Sequence, residues 1–226
     1  MIPYGELWRD FVNNVPYKKY QEHRNTTICE ENQKLTNTSL LNMQSFEIQH
    51  LASKVTDQVT EINEILRGKE LNIIFDTTLS LNYPQHFKNI GILAINENQF
   101  KDFIASLYII VFESTQEKIT VKNGKKRIQN MAKYPACFNR YPKSNEPDIF
   151  HHINGLRHKF LKAHDTLSSN FSSKRFTPEE SQEYFIGHRN RPNNNEFISL
   201  QKGILTEFSI FLSKLLEWAN NQIANN

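Results

Sequence analysis

Arg157 and His164 stand seven residues apart in a stretch whose apolar residues recur at helical intervals. At about 100° per residue their directions differ by only about 20°, with about 10 Å of rise between them, so both project along one seam of a helix. An imidazole near its ordinary pKa moves protons at neutral pH, and a permanently charged guanidinium fork steadies negative charge on phosphoryl oxygens. Lys159 and Lys162, beside them in sequence, either hold phosphates or solubilise the helix face. His151 and His158, also seven apart, fall on the opposite side, the one expected to face solvent. Metal chemistry finds no footing in the pattern. His151, His152 and His158 lack the i,i+4 spacing of a helical zinc pair, and no HExxH or CxxC occurs, so no metal and no cofactor is predicted. There is no glycine-rich phosphate loop, no GxSxG elbow, and Cys29 and Cys137 stand alone.

The seam needs a scaffold, and the periodicity predicts a helical one. Residues 148–166 present Ile149, Ile153, Leu156, Phe160 and Ala163 as an apolar stripe. Residues 45–66 form an amphipathic helix, with Gly68 placed as its C′ glycine. A third helix, 96–112, is capped by Asn96, and its Phe100, Phe103, Ile104, Leu107, Ile110 and Val111 face a core. Thr177-Pro178-Glu179-Glu180 is a capping-box start for a short helix towards Gly187. Residues 196–223 make a long terminal helix. The run 71–81 fits helix or strand, and helix is the expectation. Spaced aromatics within 1–43 and the polar run 25–39 suggest a short N-terminal helix and an arm packing on the bundle. Asn123-Gly124 admits a small hairpin as a type I′ turn with a basic tip of Lys122, Lys125, Lys126 and Arg127. Pro135, Pro142 and Pro147 punctuate a loop. The sum is an all-α up-and-down helical bundle of four to five main helices, one domain over 1–226.

The run Arg157-His158-Lys159-Phe160-Leu161-Lys162-Ala163-His164 resembles the HEPN-domain motif: an arginine, then a polar residue, then a histidine after four to six intervening positions. The likeness covers 148–166 and, more loosely, the helices from 45 to 223. It implies an all-α bundle that pairs through its motif helices into a homodimer. Many such proteins are metal-independent endoribonucleases of toxin–antitoxin, abortive-infection and CRISPR-associated defence systems. Others have lost catalysis and bind nucleotides or partners. On this resemblance Arg157 and His164 are the catalytic pair and His158 the supporting polar residue. An antitoxin or other regulatory partner is implied as well. RNA cleavage without metal uses the neighbouring 2′-OH as nucleophile, leaving the protein to move protons and stabilise charge. One helix supplies one Arg/His pair, and a twofold axis would supply the second.

Charge is consistent with an RNA partner. The chain has 226 residues and a formal net charge of +3, but 1–113 holds 10 basic and 14 acidic residues while 114–226 holds 17 and 10. Arg189, Arg191 and the Lys125, Lys126, Arg127 cluster are candidates for backbone-phosphate contacts. No window is long and apolar enough for a membrane span, and the start lacks a signal-like pattern, so a cytoplasmic protein without membrane contact is expected. The competing reading is a non-catalytic helical module that binds RNA, nucleotide or a protein partner through the same basic seam. In that case Arg157 would be an interhelical ion pair, for example with Glu207, and His164 a satisfied half-buried histidine.

Overall fold

Helix α1 (Tyr17–Gly68) runs for 52 residues in the computed structural model. The structure describes residues 17–76, 83–120, 126–129, 133–135, 149–161 and 176–223, with backbone only for 17–36, 118–120 and 126–129. The polar run 25–39, read from the sequence as an arm, is helical. From Tyr17 to Arg67 there is neither proline nor glycine, and polar residues alone weaken a helix without ending it. Two compact units emerge, Met1–Gln44 and Ser45–Asn226. The expected packing of residues 1–43 falls largely on side chains outside the described residues.

In the larger unit the core elements are α1 from Ser45 onward, α2 (Tyr83–Ile90), α3 (Glu97–Tyr108), α4 (Ile149–Leu161), α5 (Pro178–Ile186) and α6 (Asn194–Asn220). The architecture is an all-α bundle, as the apolar periodicity predicted. Helices α1 and α6 run parallel, tied at successive levels: Lys202 to Glu47 at 2.7 Å, Gln58 Nε2 to Ser209 O at 3.1 Å, and Lys69 Nζ to Ala219 O at 2.9 Å. Lys69 also donates to Asn220 O and Gln222 O, so one ammonium caps the carbonyl end of α6. No helix among the described residues is long and apolar enough to cross a membrane.

The end of α1 departs from the sequence reading. Leu71 N–H bonds Leu66 O at 2.8 Å and Glu70 N–H bonds Arg67 O at 3.0 Å, the hydrogen-bond pair of a Schellman cap. Glu70, at φ 60°, therefore occupies C′, and Gly68 lies inside the helix. Leu71 closes the motif because it can pack on the core, and that apolar requirement fixes the register of the cap. Two substitutions test it. Glu70→Gly should stabilise by about 0.5–1 kcal/mol by relieving a left-handed residue, and Gly68→Ala by a similar amount through helix propensity. A rise in denaturant midpoint at constant slope checks both. If Gly68 were the cap, Gly68→Ala would destabilise.

Residues 71–76 are not helical, against expectation, and 77–82 lie outside the described residues. Asn63 on α1 explains the irregular run: its Nδ2 donates to Phe75 O at 2.6 Å and its Oδ1 accepts from Phe75 N–H at 3.2 Å. A helix would use those backbone groups itself. Helix α3 begins as predicted, with Asn96 Oδ1 accepting from Gln99 N–H, but its last turn widens into a π turn at Ile109–Glu113. There Ser114 N–H reaches back five residues to Ile109 O.

The hairpin exists as β1 (Glu117–Thr120) and β2 (Lys126–Gln129), antiparallel, with Thr120 opposite Lys126. A two-residue Asn123-Gly124 turn would put Lys126 opposite Val121, one position away. Residues 121–125, and 136–148 with their two prolines, lie outside the described residues. The capping box at Thr177 and Glu180 is present, and Gly187 closes α5 at φ 78°. A second box, Asn193 with Glu196, opens α6.

Candidate functional site

Helix α4 buries Ile149, Ile153, Leu156 and Phe160, as the stripe required. Residues 162–175, with Lys162, Ala163 and His164, lie outside the described residues. Lys125 is outside as well, and Lys126 and Arg127 are placed in β2 by backbone alone. Arg157, His158 and Lys159 remain as the described part of the motif, all half-buried on the C-terminal turns of α4.

Arg157 is held by an aromatic face. Its guanidinium carbon lies 3.8 Å from the centroid of the Tyr108 ring, and Nη1 is buried. Tyr108, the last residue of α3, stacks in turn on Phe112 in the π turn, with centroids 4.6 Å apart and planes 20° apart. Arg157 is thus the outermost layer of a three-member stack whose inner rings belong to the core. The sequence reading did not single out Tyr108. Its only signal is a tyrosine in a largely apolar stretch, where a polar-tipped ring is chosen over a plain apolar one.

The placement of the neighbouring histidines corrects the sequence reading. His151, expected on the solvent side, is buried, and His152 is only 1% exposed. Helix α5 covers that face. The His152 ring is stacked between Phe176 at 4.5 Å and Tyr184 at 4.4 Å. Such close cover is possible because α4 offers Gly155 to α5: a Cβ there would lie 3.2 Å from Ser181 Cβ. The helical wheel of α4 alone could not show this, since its second face is buried by α5, which begins only at Pro178.

Three of the proposed phosphate-contacting cations are matched by a glutamate. Arg189 Nε meets Glu183 Oε2 at 2.7 Å, Arg191 Nη2 meets Glu97 Oε2 at 2.9 Å, and Lys159 Nζ lies 4.0 Å from Glu179 Oε1. Hydrogen bonding to Lys101, then to Arg191, holds the Glu97 carboxyl below its usual range, and Glu183 raises Arg189. The local field is correspondingly weaker than the basic count suggests. A polar cleft of about 450 Å³ lies elsewhere, between the starts of α3 and α6, lined by Asn96, Glu97, Arg191, Asn194 and Phe197 among others. It contains none of Arg157, His158 or Lys159. Among the described residues no group of three His, Cys, Asp or Glu is arranged to hold a metal ion.

The loop between α5 and α6 is firmly tied. Gln182 Nε2 donates to His188 O at 3.0 Å and Asn190 O at 2.6 Å, and His188 Nε2 meets Glu196 Oε1 at 2.8 Å. Glu180 and Glu196 both sit below the usual glutamate range, first because the backbone N–H groups of Thr177 and Asn193 bond them. A carboxyl whose folded pKa is depressed contributes stability above its unfolded value and loses it as pH falls through the folded one. Melting temperature should therefore drop as pH falls through and below 4.5, the ordinary glutamate value. The double variant Glu180→Gln/Glu196→Gln should show a flatter acid limb in a pH series of thermal melts.

Compared with protein-family models, curated proteins and solved structures, the chain matches none.

Proposed function

We propose that this chain is a metal-independent endoribonuclease of the HEPN type, acting as a homodimer in which Arg157 and His164 of each copy line a shared RNA cleft. The observation that carries the reading is the Tyr108 contact, which pre-orients a half-buried guanidinium within the motif. A fixed charge of that kind stabilises a phosphoryl transition state without reorganisation cost at the moment of reaction. One His164 removes the 2′-OH proton as that oxygen attacks phosphorus, and the other protonates the departing 5′-oxygen. The products are a 2′,3′-cyclic phosphate and a 5′-hydroxyl end. His158 supports the pair from the adjacent position. The resemblance adds the biological setting: a cytoplasmic toxin or antiviral defence protein held in check by an antitoxin or regulatory partner.

One observation favours the rival, a non-catalytic module binding RNA, nucleotide or protein. Nη1 of Arg157 is buried, as in a purely structural arginine. The deciding experiment incubates purified protein with a single-stranded RNA and its all-deoxy counterpart in EDTA, beside Arg157→Ala and His164→Ala. Cleavage of RNA alone, cyclic-phosphate ends and loss in both variants support the nuclease. Equal cleavage by all three proteins removes the site, and RNA binding without cleavage supports the rival.

A further inference from the structure

We infer that Tyr108 is a positioning residue for Arg157: its ring is the shelf that holds the guanidinium in place within the motif. The inference rests on the nuclease reading for its catalytic consequence, but its geometric content stands alone. The 3.8 Å approach of Cζ to the ring centroid puts the cation over the negative face of the aromatic quadrupole. Tyr108 cannot swing away, because it is only 4% exposed and stacks on Phe112 behind it. Phe112 is itself an edge-on neighbour of Phe150, one turn before Ile153 on α4, at 6.1 Å. The shelf therefore joins the helix that carries Arg157 at two points, through Tyr108–Arg157 and Phe112–Phe150. The π turn, starting immediately after Tyr108, sets the direction in which Phe112 backs it.

A shelf that acts through its quadrupole differs from one that merely fills space. Replacing Tyr108 by phenylalanine keeps the face. Pentafluorophenylalanine keeps the ring's outline but reverses the quadrupole, so it should loosen the guanidinium while preserving the packing. The test places Phe, pentafluorophenylalanine and Leu at position 108 of the full chain and measures RNA cleavage in EDTA with thermal melts alongside. Tyr108→Phe is expected to retain kcat within about threefold. The fluorinated ring should lower kcat by about tenfold or more with KM changed less, since the loss is in transition-state charge stabilisation. Equal kcat for the Phe and pentafluorophenylalanine proteins overturns the positioning role.

A second readout needs no RNA. In the parent, the Arg157 Nε–H resonance should be displaced upfield by the ring current, and Tyr108→Leu should return it to the ordinary arginine position. An undisplaced resonance in the folded parent overturns the inference. A displaced resonance in a protein that does not cleave RNA upholds the shelf and removes the nuclease reading.

Discussion

Arg157→Lys is expected to lower RNA cleavage about as far as Arg157→Ala does, by roughly 10²–10³-fold, the usual loss when one preorganised donor to a developing oxyanion is removed. Lysine keeps the positive charge, so a site that needed only charge would tolerate it. It does not keep the planar fork, and its ammonium is a strongly hydrated point charge with no flat face to lie on Tyr108. Two losses follow from one substitution: bidentate geometry towards phosphate and the stack that fixes it. The effect should sit in kcat, because the proposed role is to oppose charge that grows only in the transition state. Thermal melts separate this from unfolding. An exposed cation–π contact contributes about 0.5–1 kcal/mol and a desolvated one about 2, so a modest loss of stability accompanies the substitution. Near-parental kcat in a folded Arg157→Lys protein would leave Arg157 a general electrostatic role or none. Combining Arg157→Ala with His164→Ala should cost little beyond the worse single variant, because groups that act in one step are not additive.

What the sequence made legible follows the range of the interactions. The helices expected over 45–66, 96–112 and 196–223, the short one from Thr177 and the described part of 148–166 were readable to within a few residues at their ends because apolar spacing and caps are local signals, and Thr177, Glu180, Asn96 and Gly187 behave as their neighbours in sequence dictate. Failures came where a distant residue decides. Residues 71–76 are non-helical because Asn63 takes the backbone of Phe75, and the end of α1 shifts to Glu70 because Leu71 finds apolar cover. His151 is inside because Gly155 lets α5 approach. In the candidate site, spacing in the sequence singles out Arg157, yet Tyr108, 49 positions away, becomes its neighbour only through the packing of α3 on α4. Likewise the surplus of basic residues in 114–226 does not disclose that Arg189 and Arg191 are tied to Glu183 and Glu97.

Gln201→Leu should destabilise the fold by roughly 3–5 kcal/mol, a large fraction of the 5–15 kcal/mol that holds a typical domain together. Gln201 lies among Leu200, Ile204 and Leu205 on α6 and is 0% exposed, a polar side chain at a position that periodicity reserves for the core. Its amide is fully engaged with the link between α2 and α3: Oε1 accepts from Ala94 N–H at 2.8 Å, and Nε2 donates to Ile90 O at 3.1 Å and Ile92 O at 2.8 Å. Leucine is apolar and about the right size, so the volume cost is small. The loss comes chiefly from the buried Ala94 N–H and Ile90 carbonyl left without partners, each worth about 1–3 kcal/mol, with a smaller part from the half-exposed Ile92 carbonyl. Gln201→Glu sharpens the argument. Its carboxylate could still accept from Ala94 but would face the Ile90 and Ile92 carbonyls, which favour a donor. The buried acid should therefore have a raised pKa, bind its proton more tightly folded than unfolded, and lose stability as pH rises through the folded value. Denaturant titrations at pH 5 and pH 7 should show this variant relatively better at the lower pH, whereas Gln201→Leu should show no added pH dependence. Since the link leads into α3, and α3 ends in the ring beneath Arg157, both variants should melt early yet keep kcat at temperatures where they remain folded. A Gln201→Leu protein as stable as the parent would mean that the 90–94 backbone finds other partners, and that this amide does not fix the approach of α3 to the bundle.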